Sequence, residues 1–131
     1  MLEREEIRAP ALPEPFSHYT DAVRLGELLF VSGCVSVDDR GAVVGVGDVV
    51  AQARQVFANL ALVLETAGAT FGDVAKVTVY LTNVDDRAKI NPVRQEFFGE
   101  ARPASTLVEV SALVLPEFLI EVEAIARVSR Y

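Results

Sequence analysis

The 131-residue sequence has few of the side chains that enzymes use for metal binding or nucleophilic catalysis. It contains one cysteine, Cys34, one histidine, His18, and no tryptophan. A disulfide within the chain is therefore excluded, and no closely spaced set of side chains predicts a zinc site, which needs three or four convergent ligands. His18 is not accompanied by a Gly-x-Ser-x-Gly motif, so a histidine-dependent triad is not indicated. We expect no bound metal, and neither a metalloenzyme nor a serine hydrolase is favoured.

Basic residues are scarce relative to acidic ones. Twelve lysines and arginines stand against nineteen aspartates and glutamates, which gives a net charge of −7. This charge repels phosphate backbones and argues against nucleic-acid binding. No apolar run approaches the roughly 18 residues of a membrane span, and residues 1–6 lack the basic patch and apolar run of a signal peptide. The sequence predicts a cytoplasmic protein without a membrane partner.

Hydrophobic residues make up 51% of the chain, which is enough for one folded domain over residues 1–131. Residues 9–15 contain three of the six prolines and predict an extended connector after a short first strand. Residues 17–23 and 27–35 are predicted strands. Gly26 lies between them at the position of a tight hairpin turn.

A helix and a strand are predicted next. Asp48 is a suitable N-cap for a helix that runs to about residue 67, and Gly68 is suited to end it. Residues 74–82 alternate in polarity, which is typical of a strand. In that alternation Ala75 is predicted to face the core, together with Val77, Val79 and Leu81.

A second helix is predicted next, from its capping residues and from the helical spacing of the apolar residues between them. Either Asp85 or Asp86 could cap its start, and Gly99 is predicted to end it. Pro92 should interrupt the first turn, and Asn91, which precedes this proline, should be restricted away from helical geometry.

Two more strands are predicted, at residues 104–110 and 118–128. The resulting order of elements predicts an α+β fold, with two helices on one face of a mixed sheet. In the last strand one side is apolar and should face the helices, whereas the other carries Leu119, Glu121, Glu123, Ile125 and Arg127. A half-apolar sheet face that no element of the chain covers predicts self-association.

Glu121 and Glu123 are the clearest candidates for chemistry. They lie two residues apart in a predicted strand, so their side chains project from the same face roughly 7 Å apart. If an oligomer covers that face, burial and mutual repulsion raise at least one pKa toward the range of a general acid or base. The alternative is a structural interface in which a residue such as Arg127 pairs with them. Spacing alone favours this structural interpretation.

Three other polar residues could contact a ligand, each with a simpler structural role as the alternative. Ser32 is predicted to share a strand face with Phe30 and Cys34, and it either contacts a ligand or forms a strand-end hydrogen bond. Tyr19 is a phenolic donor or a sheet aromatic. Asn91 directs its amide into a pocket or caps a turn. Cys34 has no paired histidine or basic neighbour and is predicted to be unreactive.

Several segments carry motifs in a fixed order along the chain. They are Asp21–Gly33, Ala51–Gln55 with Asn59-Leu60, Gly72–Val74, Asn91 with Glu96–Phe98, Arg102–Ala104, Val108–Val110 and Ile120–Ala126. In this order they resemble the reactive intermediate deaminase family (RidA, also called YjgF or L-PSP). The resemblance extends over residues 9–128.

The resemblance implies a chorismate-mutase-like (ferredoxin-like) α+β subunit that forms a homotrimer, with clefts for a small molecule between subunits and no cofactor. The best-known members hydrolyse 2-imino and 2-enamino acids to keto acids and ammonia. By position, the cleft residues of the family correspond to Tyr19, Ser32, Gly33, Asn91 and Glu121. The resemblance gives catalytic roles to Glu121 and Tyr19, with Glu121 orienting or deprotonating the attacking water.

Two substrate-binding positions depart from the family pattern. Ser105 stands where deaminating members have an arginine that clamps the substrate carboxylate, and Leu107 stands where they often have cysteine. A hydroxyl cannot replace a bidentate guanidinium. The chain therefore resembles a subgroup without the clamp, and 2-aminoacrylate is not the expected substrate. The sequence leaves open whether Arg94 or Arg102 takes over the role.

The favoured function is a deaminase-type hydrolase that acts on a small reactive imine or enamine. The alternative is a non-catalytic trimer of the same family that binds a metabolite or a protein. A third function, ribonuclease activity, conflicts with the net charge of −7 and the single histidine and ranks last.

Overall fold

Two helices pack against one face of a six-stranded mixed sheet in residues 3–129, the part of the chain that this computed structural model describes. The strands are β1 (Arg4–Ile7), β2 (Ala22–Leu25), β3 (Leu28–Cys34), β4 (Val74–Leu81), β5 (Ala104–Glu109) and β6 (Ile120–Arg127), and the helices are α1 (Val49–Ala67) and α2 (Arg87–Phe98). The predicted α+β class is confirmed. Neither described helix combines the length and the hydrophobicity that crossing a membrane requires. Met1 and Leu2, the start of the segment without signal-peptide features, lie outside the described residues.

The strand order places the last strand in the interior of the sheet. The order is β1-β2-β3-β6-β4-β5, and every pairing is antiparallel except that of β4 with β5. Parallel neighbours need a crossover connection, which α2 provides between β4 and β5. Because β6 lies between β3 and β4, residues at its centre are flanked by strands on both sides.

Helix α1 begins and ends where the sequence predicts. Asp48 Oδ1 accepts a hydrogen bond from the Ala51 N–H at 3.1 Å, and Gly68 adopts a left-handed conformation with φ 81° after the last turn. A left-handed residue at this position favours glycine because it has no Cβ to clash. The buried side of the helix packs against the sheet through residues at three- and four-residue spacing, which are Val49, Ala53, Val56, Phe57, Leu60, Val63 and Leu64.

Helix α2 differs from its prediction. Pro92 lies inside the helix and Asn91 is helical, so the predicted interruption is wrong. The flanking side chains of Ile90 and Val93 are almost completely buried, and tertiary packing of this kind outweighs a local preference. Asp86 occupies the N-cap position but accepts no capping hydrogen bond. A separate cap lies earlier, where Asn83 accepts the Asp85 N–H at 3.0 Å and starts a 3₁₀ turn over Val84–Asp86.

Two irregularities in strand pairing change which side chains face the core. The register between β3 and β6 shifts between Val31 and Cys34, which turns Cys34 to the buried side instead of the face of Ser32. The register between β4 and β6 shifts between Val74 and Lys76. As a result Val74 is buried and Ala75 is exposed, so the predicted inward position of Ala75 is wrong. The predicted strand at 17–23 begins only at Ala22.

The sheet face opposite the helices combines apolar and acidic side chains. Leu28, Phe30 and Val108 are each about two-fifths exposed there or slightly more. Glu121 and Glu123 alternate on β6 with fully buried apolar residues. This outward face is the half-apolar surface that the sequence predicts.

Candidate active site

Four of the predicted site residues line one cavity on the outward side of the sheet. The cavity has a volume of about 380 Å³, and its lining includes Tyr19, Ser32, Gly33 and Glu121. The remaining walls are Phe16, Ser17, Val35 and Val114. A small cavity with mostly apolar walls and a few polar groups is typical of a small-molecule site.

Gly33 lies directly beneath the Glu121 side chain. A Cβ atom at position 33 would come within 2.5 Å of Glu121 Oε2 and 2.7 Å of its Cδ. A Cβ at this position would therefore push the Glu121 carboxylate aside, whereas glycine leaves the carboxylate where it lies. The irregular pairing between β3 and β6 falls on this segment, and bulges of this kind often redirect side chains beside active sites.

Glu121 is a half-buried carboxylate at this cavity. Burial raises its pKa above the ordinary value of 4.5, and the nearby charge of Glu123 raises the pKa further. Glu123 is engaged differently, because the Tyr80 hydroxyl donates a short hydrogen bond to its Oε1. This bond is also the main reason that the pKa of Tyr80 is raised to about 12. In residues 3–129 no side chain pairs with Glu121, so its carboxylate can act on a ligand or a water.

Tyr19 and Ser32 have different freedom to contact a ligand. The Ser32 hydroxyl donates to the Thr20 carbonyl at 2.6 Å, and its N–H donates to the Asp21 carbonyl at 2.9 Å. Ser32 therefore forms the strand-end hydrogen bond that was predicted as its structural alternative. Its hydroxyl oxygen can only accept a hydrogen bond from a ligand. The Tyr19 hydroxyl accepts from the Phe16 N–H at 3.3 Å and keeps its own proton to donate.

A second group of candidate residues lines a larger cavity beside α2. This cavity has a volume of about 650 Å³, and its lining includes Asn91, Arg94, Arg102 and Ser105. Arg94 Nη2 donates to Ser105 Oγ at 2.9 Å. The Arg94 side chain is half-buried, and this burial lowers its pKa below the ordinary value of 12.5. The guanidinium remains fully protonated at neutral pH all the same.

The two groups lie on opposite faces of the sheet. Ser105 and Leu107 pair side by side with Val77 and Val79 of β4, which are completely buried against the helices. Glu121 points to the outward face instead. Leu107 packs against the core and does not line the larger cavity. One copy of the chain therefore cannot present Glu121 and Ser105 to the same small ligand.

Several features of the site have no signal in the sequence. Phe16 and Val114 lie in irregular segments, so no periodicity identifies them as cavity walls. Phe16 is held by an edge-on contact with the buried Phe118 ring, at a centroid distance of 6.2 Å. Cys34 is buried and the pKa of its thiol is raised to about 12, mainly by burial, which makes it unreactive as predicted. Across residues 3–129, histidine, cysteine and carboxylate side chains form no cluster suited to a metal ion.

Comparison with known proteins gives consistent matches over the whole fold. Residues 9–128 match the family model described as Endoribonuclease L-PSP. A RutC family protein of Pyrococcus abyssi is 42% identical over 125 residues, which cover 95% of this chain and 98% of that protein. The 3-aminoacrylate deaminase RutC of Acinetobacter baylyi is 35% identical, with 97% of this chain and 100% of that protein covered. The crystal structure of the YjgF gene product from E. coli superposes with a TM-score of 0.86 at 35% identity, covering 94% of this chain and 98% of that one.

Proposed function

The chain belongs to the RidA/YjgF/L-PSP family, and from this premise we propose that it hydrolyses a small imine or enamine to a carbonyl compound and ammonia. Imine or enamine deamination is the activity that the family supports in general, and one relative is named as a 3-aminoacrylate deaminase. The family model is named for endoribonuclease activity. RNA cleavage suits this chain poorly, because a net charge of −7 repels the substrate.

The observation that supports a hydrolytic role is the Glu121 carboxylate. It is half-buried, its pKa is raised, and it lies at a cavity large enough for a small substrate. A general base works best when its pKa lies close to the operating pH. Glu121 is free to accept a proton from a water, whereas Glu123 has its Oε1 occupied by the Tyr80 hydroxyl.

The proposed reaction needs only a water and the residues of the site. Glu121 accepts a proton from the water while the water oxygen adds to the carbon of the C=N bond, and Glu121 passes this proton to the nitrogen to give a neutral carbinolamine. The carbinolamine then loses ammonia as Glu121 transfers the proton of the new hydroxyl to the leaving nitrogen and the C=O bond forms. The Tyr19 hydroxyl donates to the ligand, the Ser32 hydroxyl oxygen accepts from it, and the Asn91 amide can do either to position it.

A complete site in this proposal requires a second copy of the chain. The outward face of one copy supplies Glu121, and the α2 side of its neighbour supplies Asn91 and Ser105. The exposed Leu28, Phe30 and Val108 of the outward face would be covered in a homotrimer. Light scattering at micromolar concentration should give about three times the chain mass of 14.2 kDa, and a monomer would remove the basis for a shared site.

The substrate is expected to differ from 2-aminoacrylate. In that molecule the carboxylate is attached to the reacting carbon, and Ser105 offers no guanidinium at the place where other members clamp it. We therefore expect weak ammonia release from 2-aminoacrylate generated in place by an auxiliary enzyme. Other small imines and enamines should be screened in the same assay.

The decisive variant is Glu121→Gln. The amide keeps the shape of the side chain but cannot accept the proton, so kcat should fall by about 10²–10⁴-fold. Glu123→Gln removes the same charge from the same strand face and is the matched control, with a loss of less than about tenfold expected. Circular dichroism and light scattering should show both variants folded and assembled.

A non-catalytic binding trimer would give a different pattern. Glu121→Gln and Asn91→Ala would then weaken ligand binding by similar, modest factors, and no substrate would be turned over. A substrate that Glu121→Gln converts at the wild-type rate would show that Glu121 is not the base.

A further inference from the structure

One nearly buried carboxylate joins the two ends of the irregular segment that precedes β2. Asp21 Oδ2 accepts a hydrogen bond from the Ala9 N–H at 2.9 Å and also binds the Arg8 guanidinium. Arg8 Nη2 in turn donates to the Pro13 carbonyl at 3.3 Å. Residues 10–20, which we call the connector segment, therefore depart from and return to a single carboxylate, and the same ion pair holds them at a third point.

The connector segment is irregular and lies over a small cavity. Within the described residues, positions 10–20 form no helix or strand. Their backbone hydrogen bonds include local turns, such as that from the Leu12 N–H to the Ala9 carbonyl at 3.0 Å. A cavity of about 50 Å³ lies between the segment and the α1 residues Asn59 and Val63, so the inner side of the segment is not closely packed. A segment of this kind depends on side-chain contacts to keep one conformation.

The connector segment supplies Phe16 and Tyr19 to the cavity beside Glu121. Phe16 has an anchor outside the segment, because its ring contacts the buried Phe118 ring. The hydrogen bonds of Tyr19 stay inside the segment: its hydroxyl accepts from the Phe16 N–H at 3.3 Å, and its N–H donates to the Ser17 carbonyl at 3.0 Å. Its ring is also 46% exposed. The position of the Tyr19 hydroxyl therefore follows the backbone of the connector segment.

The exposure of Asp21 and Arg8 indicates a contact stronger than a surface ion pair. The Arg8 side chain is 35% exposed and that of Asp21 only 11%. The side chains of the Arg4–Glu6 pair on β1 are 59% and 61% exposed. Removing one partner of a nearly buried pair leaves the other uncompensated, which is costly. Glu14 lies 3.6 Å from Arg8 but is 91% exposed, so water screens this carboxylate and it cannot take over the role of Asp21.

We infer that Asp21 is a positioning residue of the candidate site, which holds the connector segment in the conformation that places the Tyr19 hydroxyl at the Glu121 cavity. Asp21 does not line that cavity, so it acts through Tyr19. Its backbone strengthens the connection, because the Asp21 carbonyl accepts from the N–H of the site residue Ser32 at 2.9 Å. The kinetic consequence of this inference rests on the proposed function, in which Tyr19 donates to the ligand.

The kinetic test compares Asp21→Ala in two backgrounds. With 3-aminoacrylate generated in place as the probe, Asp21→Ala should lower kcat/KM for ammonia release by about 10–50-fold, because a displaced donor no longer meets the ligand. In a Tyr19→Phe background the same change should cost less than about twofold, because the hydroxyl that Asp21 positions is already absent. A merely structural role would give equal losses in both backgrounds.

Two further variants grade the contact, and two serve as controls. Asp21→Asn can keep the bond from Ala9 but loses the charge, and it should cost about 3–10-fold. Arg8→Gln should cost about as much, since it breaks the same ion pair. Arg4→Gln removes the exposed ion pair on β1. Asp38→Ala removes a carboxylate that closes a turn, through the N–H groups of residues 40 and 42, outside the Glu121 cavity. Both controls should behave as wild type.

Fluorine NMR of protein containing 3-fluorotyrosine reports the position of Tyr19 without any substrate. The chain has three tyrosines, and each resonance is assigned by its loss in the corresponding phenylalanine variant. In Asp21→Ala the Tyr19 resonance should move toward that of free 3-fluorotyrosine, because the bond from the Phe16 N–H is lost. The resonance of Tyr80, whose hydroxyl binds Glu123, should not move. If Asp21→Ala does not fold, Asp21→Asn and Arg8→Gln replace it.

The two measurements separate failure of this inference from failure of the proposed function. If the Tyr19 resonance moves as expected but wild type releases no ammonia from any imine or enamine, the deaminase proposal is wrong and the positioning of Tyr19 by Asp21 stands. If wild type releases ammonia and Asp21→Ala matches it, the deaminase function stands and the inference about Asp21 is overturned. A Tyr19 resonance that is unchanged in Asp21→Ala also overturns it, as do equal kinetic losses in the two backgrounds.

Discussion

The two cavities differ in charge, in construction and in what each lacks. The Glu121 cavity is enclosed by a strand bulge and irregular segments and contains an acid with a raised pKa. The Arg94 cavity is formed along a helix and an edge strand and carries two arginines. The first can activate water but has little to hold an anion, and the second can hold an anion but has no base in place. Under the proposed function each cavity is half of a site, and the sheet separates the two halves within one chain.

The largest effect is expected from an experiment that places the two inactivating substitutions in different copies of the chain. Glu121→Gln and Arg94→Gln should each reduce activity, the former by about 10²–10⁴-fold. When the two variants are unfolded together and refolded as mixed oligomers, about a quarter of the clefts combine one intact copy of each half, by random assortment around a ring. Activity should therefore recover to about a quarter of the wild-type rate in an ammonia-release assay.

The control for this experiment is the same mixture without unfolding, which should stay inactive if exchange of copies is slow. A mixture of Glu121→Gln with Glu121→Ala should also stay inactive after refolding. If refolding the two complementary variants together restores nothing, the halves do not meet across an interface.

A second prediction tests how the Glu121 half is held. Gln52 is completely buried, and its Nε2 donates to the Gly45 carbonyl at 3.1 Å and the Glu117 carbonyl at 2.9 Å, while Oε1 accepts the Leu119 N–H at 2.8 Å. Gln52→Leu leaves these backbone groups unsatisfied and should lower the free energy of unfolding by about 3 kcal/mol. Urea unfolding measures this loss.

The same variant should affect the two halves unequally. Hydrogen exchange should increase around Val114, whose segment leads into the anchored Leu119, and change little along α2. The exposed Gln95 on α2 provides the control, because Gln95→Leu should alter stability by less than about 0.5 kcal/mol. Uniform loosening of both regions would show that Gln52 supports the whole fold instead of one half.

A third prediction concerns the contact that orients Arg94. Ser105→Ala removes the hydroxyl that accepts from Arg94 Nη2 but leaves the guanidinium in the cavity. The KM for an anionic substrate should rise by about fivefold, corresponding to one hydrogen bond of about 1 kcal/mol, while kcat stays within about twofold. Steady-state kinetics separates the two constants, and a loss confined to kcat would contradict a positioning role.

The smallest predicted effect is a gain in stability from the variant that abolishes activity. The pKa of Glu121 is raised in the folded chain, so folding favours its protonated form. Its contribution to stability is greatest below the ordinary pKa of 4.5 and declines as pH rises from that value through the raised pKa. At pH 7 Glu121→Gln should therefore stabilise the chain, by less than about 1 kcal/mol because the group is partly screened by water.

Thermal unfolding at matched protein concentration measures this gain, since oligomers unfold in a concentration-dependent way. The difference between variant and wild type should shrink at pH 4, where the wild-type carboxyl is mostly protonated. Glu123→Gln is the contrasting control and should not stabilise the chain, because it weakens the hydrogen bond from Tyr80. A larger gain from Glu123→Gln than from Glu121→Gln would reverse the assignment of the two carboxylates.

Local chemistry explains which elements the sequence predicted correctly. The Asp48 cap and the left-handed Gly68 bound α1 because each acts on neighbouring backbone groups. The alternation along β6 also gives the correct inward and outward sides. Ala75 was placed wrongly because one extra residue in a strand reverses the faces that follow or precede it. The disruption of α2 by Pro92 was overestimated, because packing against residues from other parts of the fold stabilises this helix.

The site could be predicted only in parts. The motif resemblance brought Tyr19, Ser32, Gly33, Asn91 and Glu121 into one group. The structure places four of them around one cavity and Asn91 in the other. The contact of Arg94 with Ser105 joins helix α2 to the edge strand β5. No local pattern in the sequence reveals how these two elements are aligned. The sequence therefore left open whether Arg94 or Arg102 takes over the role of the clamp.

The close contact between Gly33 and Glu121 has a consequence for how this protein can vary. Because a Cβ at position 33 would collide with the carboxylate, the effect of a substitution at one position depends on the residue at the other. Gly33→Ala alone should displace the base, whereas a Glu121→Ala background removes the three atoms nearest to the added Cβ, so that Gly33→Ala should cost less there. In a mutational library the two positions would therefore show epistasis, with a change that is harmful in one background becoming neutral in the other. A sequence that keeps the Glu121 carboxylate in this position is therefore expected to keep glycine at position 33, and one that loses the carboxylate no longer has this reason to keep it.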